Sequence, residues 1–118
     1  MSKGIFITGT GTDIGKTYVT GLIVKKLRES GADAAYYKAA MSGNERRVDG
    51  SLIPGDALQV KTMSGIGQPL EEMCPYVYET AVSPHLASRL EGNPVQMERV
   101  LEDFHKVCEK YEYVTMDY

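Results

Sequence analysis

The hydrophobic pattern changes period several times along the chain, and each change marks an element. Gly4 to Thr8, with Ile5-Phe6-Ile7 at its centre, predicts a short buried strand, followed by a glycine loop from Gly9 to Gly15. From Lys16 to Ser30 the period becomes helical. Val19, Leu22, Ile23 and Leu27 form the apolar series, and Lys25, Lys26, Arg28 and Glu29 fill polar positions. Gly31 stands where a helix stops in the left-handed region. A second strand, Asp33 to Lys38, follows at once. Strand, helix and strand make a βαβ unit, so these strands are expected to run parallel.

Met41 to Gly55 is polar and glycine-containing and reads as a surface loop. Asp56 to Met63 predicts a short helix, Gly65 to Pro69 a break, and Tyr76 to Tyr78 an extended piece. Ser83-Pro84 starts a helix that stops at Gly92. Pro94 opens the next, in which Met97, Val100, Leu101, Phe104, Val107, Cys108 and Tyr111 form one apolar stripe. Tyr113 to Met116 is the last strand. Alternating strands and helices predict an α/β fold, a doubly wound, mainly parallel sheet with flanking helices, of the P-loop NTPase-like kind. About three parallel strands are available, and the last should be central. So small a sheet leaves an apolar edge and uncovered faces, and the chain reads as one that stops in mid-domain.

Composition narrows the function classes. The 118 residues are at most one domain, and 42% hydrophobic with 25% charged residues is ordinary for a soluble protein. A net charge of -3 argues against a broad nucleic-acid footprint. No apolar run approaches the roughly 18 residues of a membrane span. The start carries no signal-peptide pattern, so the expected setting is cytoplasmic. Cys74 and Cys108 have no metal-ligand spacing and read as reduced thiols.

The chemistry concentrates in "FITGTGTDIGKTYVTGL", Phe6 to Leu22. A phosphate loop needs backbone N–H groups converging on an anion at a helix start, and glycines let the backbone approach. The common pattern is G-x-x-x-x-G-K-[ST]; here Gly9 lies one residue too early and Gly11 one too late. Lys16 would bridge the outer phosphates and the Thr17 hydroxyl would be a magnesium ligand. Lys38, in "YYKAAMSG", would share the loop's rim, although a lone lysine at a strand end is ordinarily solvated. Asp56, in "IPGDAL", reads by itself as an N-cap. Asp117 follows an apolar strand, where phosphate-loop enzymes place a magnesium-associated acid; its alternative is a solvated acid near a chain end. His85 reads as structural and His105 as exposed, and neither is assigned catalysis.

Together, "GTGTDIGKT", "YYKAAMSG", "GDAL", "CPYVYETAVSPHLAS" and Glu91-Gly92 with Pro94 resemble the dethiobiotin synthetases, in order and over nearly the whole chain. That loop carries one residue more than the common spacing. The resemblance implies an ATP-dependent ligase of biotin synthesis. Its diamine, 7,8-diaminononanoate, takes up CO2 as a carbamate, ATP phosphorylates the carbamate, and the second amine closes the ring. It further implies ATP and Mg2+ as cofactors, small-molecule partners, a homodimer, and neither nucleic acid nor membrane.

Residue by residue, the resemblance implies that Asp13, Ile14, Gly15, Lys16, Thr17 and Tyr18 cradle the nucleotide. Thr12, Lys16, Lys38 and Ser42 would bind substrate, with Lys38 and Lys16 catalytic. Thr17, Asp56 and Asp117 would hold magnesium. The chain departs from the family at its end, where Asp117-Tyr118 stand in place of Glu-Gly. It is expected to be the N-terminal part of a single P-loop synthetase domain, with doubtful activity alone and a tendency to associate through an open sheet edge. Alternatives are a cobyrinic acid synthase-like enzyme, against which Ser83-Pro84-His85 speaks, and a MinD/ParA-like ATPase, whose early loop lysine is missing here.

Overall fold

A computed structural model describes residues 3–7 and 13–117. Three parallel strands form the sheet, in the order β1 (Lys3–Ile7), β5 (Tyr113–Asp117), β2 (Ala34–Tyr37). The last strand is therefore central, as its sequence position predicts. Between β1 and β2 runs α1 (Asp13–Glu29). Beyond β2 come β3 (Ala40–Met41), α2 (Gly55–Ser64), α3 (Leu70–Met73), β4 (Tyr76–Val77), α4 (Pro84–Leu90) and α5 (Met97–Lys110). β3 and β4 pair in parallel as a separate small sheet.

Alternation along β2 builds both layers. Ala34 and Tyr36 pack with Val24 of α1, Ala57 and Val60 of α2, and Met73. Ala35 and Tyr37 pack on the other face with Val114, Val107 and Phe104. A strand buried on both faces reads as a continuous apolar run, which is why "AAYY" carries no polar position. Helices on both faces make the sheet doubly wound, as expected.

Several expectations need correction. α1 begins at Asp13, so Asp13 to Gly15 belong to the helix rather than to the loop. The face of α1 turned inward is Thr17, Thr20, Gly21 and Val24, whereas Val19 and Leu22 stay exposed. The reason is close packing: a Cβ at Gly21 would lie 2.7 Å from Met63 Sδ, so α2 approaches where α1 has no side chain. The stripe on α5 is also narrower than its sequence suggests. Val107 is buried and Val100, Phe104, Cys108 and Tyr111 pack against the core, while Met97 and Leu101 remain exposed. α5 starts at Met97, not Pro94, because two tyrosines pin the preceding segment. Tyr78 Oη donates to Asn93 O (2.6 Å), and Gln96 N–H donates to Tyr76 Oη (3.0 Å).

The open edge expected of the sheet is closed on the β2 side. Gln68, 1% exposed, stands in for a neighbouring strand: its Oε1 accepts from Tyr36 N–H (2.8 Å) and its Nε2 donates to Tyr36 O (3.0 Å). Among the described residues, no strand pairs with the outer edge of β1. Gln68→Ala is expected to destabilise the fold by about 2–3 kcal/mol, because it strips partners from two buried backbone groups. Urea unfolding checks this, and Gln68→Glu should recover only part of the loss, since it keeps the acceptor but not the donor.

Candidate functional site

The site lies at the carboxyl ends of the parallel strands. In register, Ile7 pairs with Asp117 and Tyr37 with Met116. Lys38 follows Tyr37 and Asp117 follows Met116, so the two stand at one level at the ends of neighbouring strands. In open parallel sheets this rim is where ligands bind.

Lys38 does not end as a solvated strand-end lysine. Its Nζ lies 2.7 Å from Asp56 Oδ2, with the two side chains 14% and 29% exposed. Its backbone N–H donates to Met73 O, which fixes the chain as it turns from β2. Asp56 is correspondingly not an N-cap. Pro54 occupies that position and Asp56 is the second residue of α2, with its carboxylate turned to the lysine.

Lys38, Ser42 and Asp56 line one cleft of about 530 Å³, together with Met41, Asn44 and Pro84. The Ser42 hydroxyl donates to Val82 O, so its remaining capacity toward the cleft is as an acceptor. The specific "ETAVSPHLAS" segment builds the wall. Ser83 caps α4 by accepting from Leu86 N–H, and Pro84 sits in the first turn and lines the cleft. Glu91 accepts from Thr80 N–H at 2.9 Å, and this bond and the Thr80 hydroxyl hold its carboxyl below the usual carboxylate range. Glu91-Gly92 is thus a brace for the wall, with Gly92 in the left-handed conformation at φ 67°. His85, in the first turn of α4, and His105, on α5, are both exposed.

At the start of α1, Thr17 is 1% exposed and its Oγ1 has no hydrogen-bond partner among the described residues. Buried hydroxyls are nearly always paired, and Thr17 stands directly after the Gly15-Lys16 of the phosphate-loop motif. Gly15 adds to this. A Cβ there would meet no atom of the described residues within 4 Å and its φ is not positive, so neither their packing nor the backbone conformation calls for glycine. Close approach of a ligand would. Lys16 is half-buried and Tyr18 is 53% exposed. Thr12 and Tyr118 lie outside the described residues, as do the side chains of Asp13, Ile14 and Asp117.

Cys74 is buried, and burial pushes its thiol up to about 12, which leaves it neutral at ordinary pH. Two positions escaped the sequence reading. Asn44 lies within a segment read as surface loop, yet is 8% exposed. Gln68 lies within a segment read as a break. Nothing local marks either, since their partners are distant in sequence. Among the described residues, no group of three or more His, Cys, Asp and Glu could hold a metal, and no helix is long and apolar enough to cross a membrane.

A parallel sheet flanked by helices, with Gly-Lys-Thr opening the first helix and a lysine–aspartate pair on the same rim, defines a P-loop NTPase-like α/β protein. The chain belongs to the AAA domain family, whose sequence profile matches residues 3–114. Among curated proteins it is 51% identical over 117 residues to the ATP-dependent dethiobiotin synthetase BioD of Clostridium botulinum (strain ATCC 19397 / Type A), covering 99% of this chain and 51% of that protein. The protein of the same name from Clostridium novyi (strain NT) is 50% identical, with 99% and 49% covered. The one from Clostridium botulinum (strain Eklund 17B / Type B) is 44% identical, with 99% and 51% covered. The chain spans about half the length of the curated relatives it matches.

Proposed function

We propose that this chain supplies the phosphate loop and carbamate site of a dethiobiotin synthetase. The reaction is ATP-dependent carboxylation and ring closure of 7,8-diaminononanoate with CO2. One observation carries the reading: Lys38 and Asp56, distant in sequence, meet in one cleft with Ser42 on the rim that follows the phosphate loop. The relatives' names support the choice of substrate.

The chemistry sets the demands. One amine of the substrate adds to CO2 and loses a proton, giving an anionic carbamate. A carbamate oxygen attacks the γ-phosphorus, the bond to ADP breaks, and the carbamate becomes a mixed anhydride. The second amine then attacks the carbonyl carbon and expels phosphate, losing its proton as the urea ring closes. The middle step brings two anions together, so cations must stand between them. In this reading Lys38, held by Asp56, faces the carbamate, and Lys16 the outer phosphates. Ser42, with its proton given to Val82 O, accepts from a substrate N–H.

Magnesium fits the residues present on one ground, the buried Thr17 hydroxyl, which has no partner among the described residues. Thr17, Asp56 and Asp117 would hold it in this reading. A site of one hydroxyl and two carboxylates, completed by phosphates and water, is ordinary for this ion. Bound there, it would neutralise charge on the transferring phosphates. Thr12 and Asp13 to Tyr18 complete the nucleotide cradle in the same reading. The homodimer rests on the family resemblance alone.

The test is phosphate release in the presence of ATP, magnesium and bicarbonate, with and without 7,8-diaminononanoate. Release that depends on the diamine supports the reading, and equal release in both arms overturns it.

A further inference from the structure

Asn44 lines the cleft, ties two segments beside it and has no role in the reaction as described above. Its carboxamide is used in both directions: Nδ2 donates to Tyr78 O at 2.8 Å, and Oδ1 accepts from Gly55 N–H at 3.0 Å. Its backbone N–H also donates to Tyr78 O at 3.1 Å. The first contacts tie the residue to the end of β4, and the Gly55 bond ties it to the first residue of α2. That helix start has no cap of its own, because Pro54 lacks a side-chain acceptor. Asn44 supplies the missing acceptor from 11 residues away.

Two consequences follow from the placement. Gly55 immediately precedes Asp56, so the same bond sets where Asp56 meets Lys38. The bond also closes the base of the excursion between Asn44 and Gly55. Within it Arg47 N–H donates to Ser51 O (2.7 Å), Ile53 N–H donates to Glu45 O (2.8 Å), and Val48 is fully exposed.

We propose that Asn44 is a positioning residue: its buried carboxamide clasps the end of β4 to the first amide of α2 and so holds Asp56 against Lys38. The effect on turnover rests on the reaction proposed above; the effect on the ion pair does not. A polar group that orients a charged site residue is worth about 10–100-fold when removed.

The experiment compares Asn44→Ala, Asp56→Asn and the double variant by two readouts. The first is diamine-dependent phosphate release. Asn44→Ala is expected to lower kcat about 10–100-fold, with the KM for ATP little changed. The double variant should be no slower than Asp56→Asn, because Asn44 acts through Asp56; losses that multiply would overturn the proposal. The second is the NMR signal of the Lys38 ε-methylene, which needs no turnover. It should move in Asn44→Ala toward its position in Asp56→Asn. A signal left at the wild-type position overturns the proposal, as does an Asp56→Asn spectrum identical to wild type. If wild-type protein releases no phosphate, the proposed function falls and the Lys38 signal alone decides. Asn44→Ser, which retains a hydroxyl, is run beside the alanine variant. If neither gives a dispersed spectrum, Asn44 is needed for folding as such and the positioning role is refuted.

Discussion

Lys38→Met is expected to lower diamine-dependent phosphate release by about 10²–10³-fold, the usual cost of removing one preorganised electrostatic contact from a reacting centre. Methionine keeps most of the volume of the lysine stem, so the cleft retains its shape. What is lost is the positive charge held 2.7 Å from Asp56. The split between parameters identifies the role. If Lys38 meets charge that develops during phosphoryl transfer, kcat falls and the KM for ATP stays nearly constant. A rise in KM with unchanged kcat would move Lys38 from the chemistry to ground-state binding. Asp56, deprived of its partner and 29% exposed, retains access to water. The stability change is accordingly small beside the kinetic one. Steady-state kinetics and urea unfolding on the same preparation separate the two.

Thr17→Val should act in opposite directions on stability and on nucleotide binding. The hydroxyl is buried with no partner among the described residues, and an unpaired buried polar group costs about 1–3 kcal/mol. Valine has nearly the same shape and the same branching at Cβ, so the helix loses nothing. Without nucleotide the variant is expected to be more stable than wild type by about 1 kcal/mol. Affinity for ATP with magnesium should fall about 10–100-fold if, as proposed, this oxygen meets the metal–nucleotide complex. Thr115→Val is the control. Its hydroxyl is also buried and unpartnered, but it lies within central β5. It should stabilise the protein and leave ATP affinity unchanged. Calorimetric titration and thermal unfolding together check both variants, and equal loss of affinity in both would sink the assignment of Thr17.

These expectations start from features legible in the chain to unequal degrees. The glycine loop with Lys16 and Thr17 is local: its residues are consecutive, and their chemistry follows from order alone. The βαβ start, the caps at Ser83 and Gly31, and the central place of β5 were legible for the same reason, since period and punctuation act over a few residues. The partnership of Lys38 with Asp56 was not. Each residue read alone has a plain explanation, a solvated lysine and an N-cap, and only the resemblance to a family raised both. The face of α1 was misread because periodicity marks apolar residues, whereas the packed side is Thr17, Thr20, Gly21 and Val24. There, small size mattered more than hydrophobicity.

Nearest-neighbour physics along the chain thus accounts for the class of fold: period and punctuation mark the parallel strands and the helices between them. The arrangement of charges at the site came from elsewhere. Lys38 meets Asp56 because β2 and α2 are set by separate packing, against Tyr36 and Met73 on one side and the Asn44 clasp on the other. Gln68 closes the sheet edge only once its loop has folded back on Tyr36. Such contacts join residues whose separation in sequence carries no signal, and their geometry exists only after the core has formed.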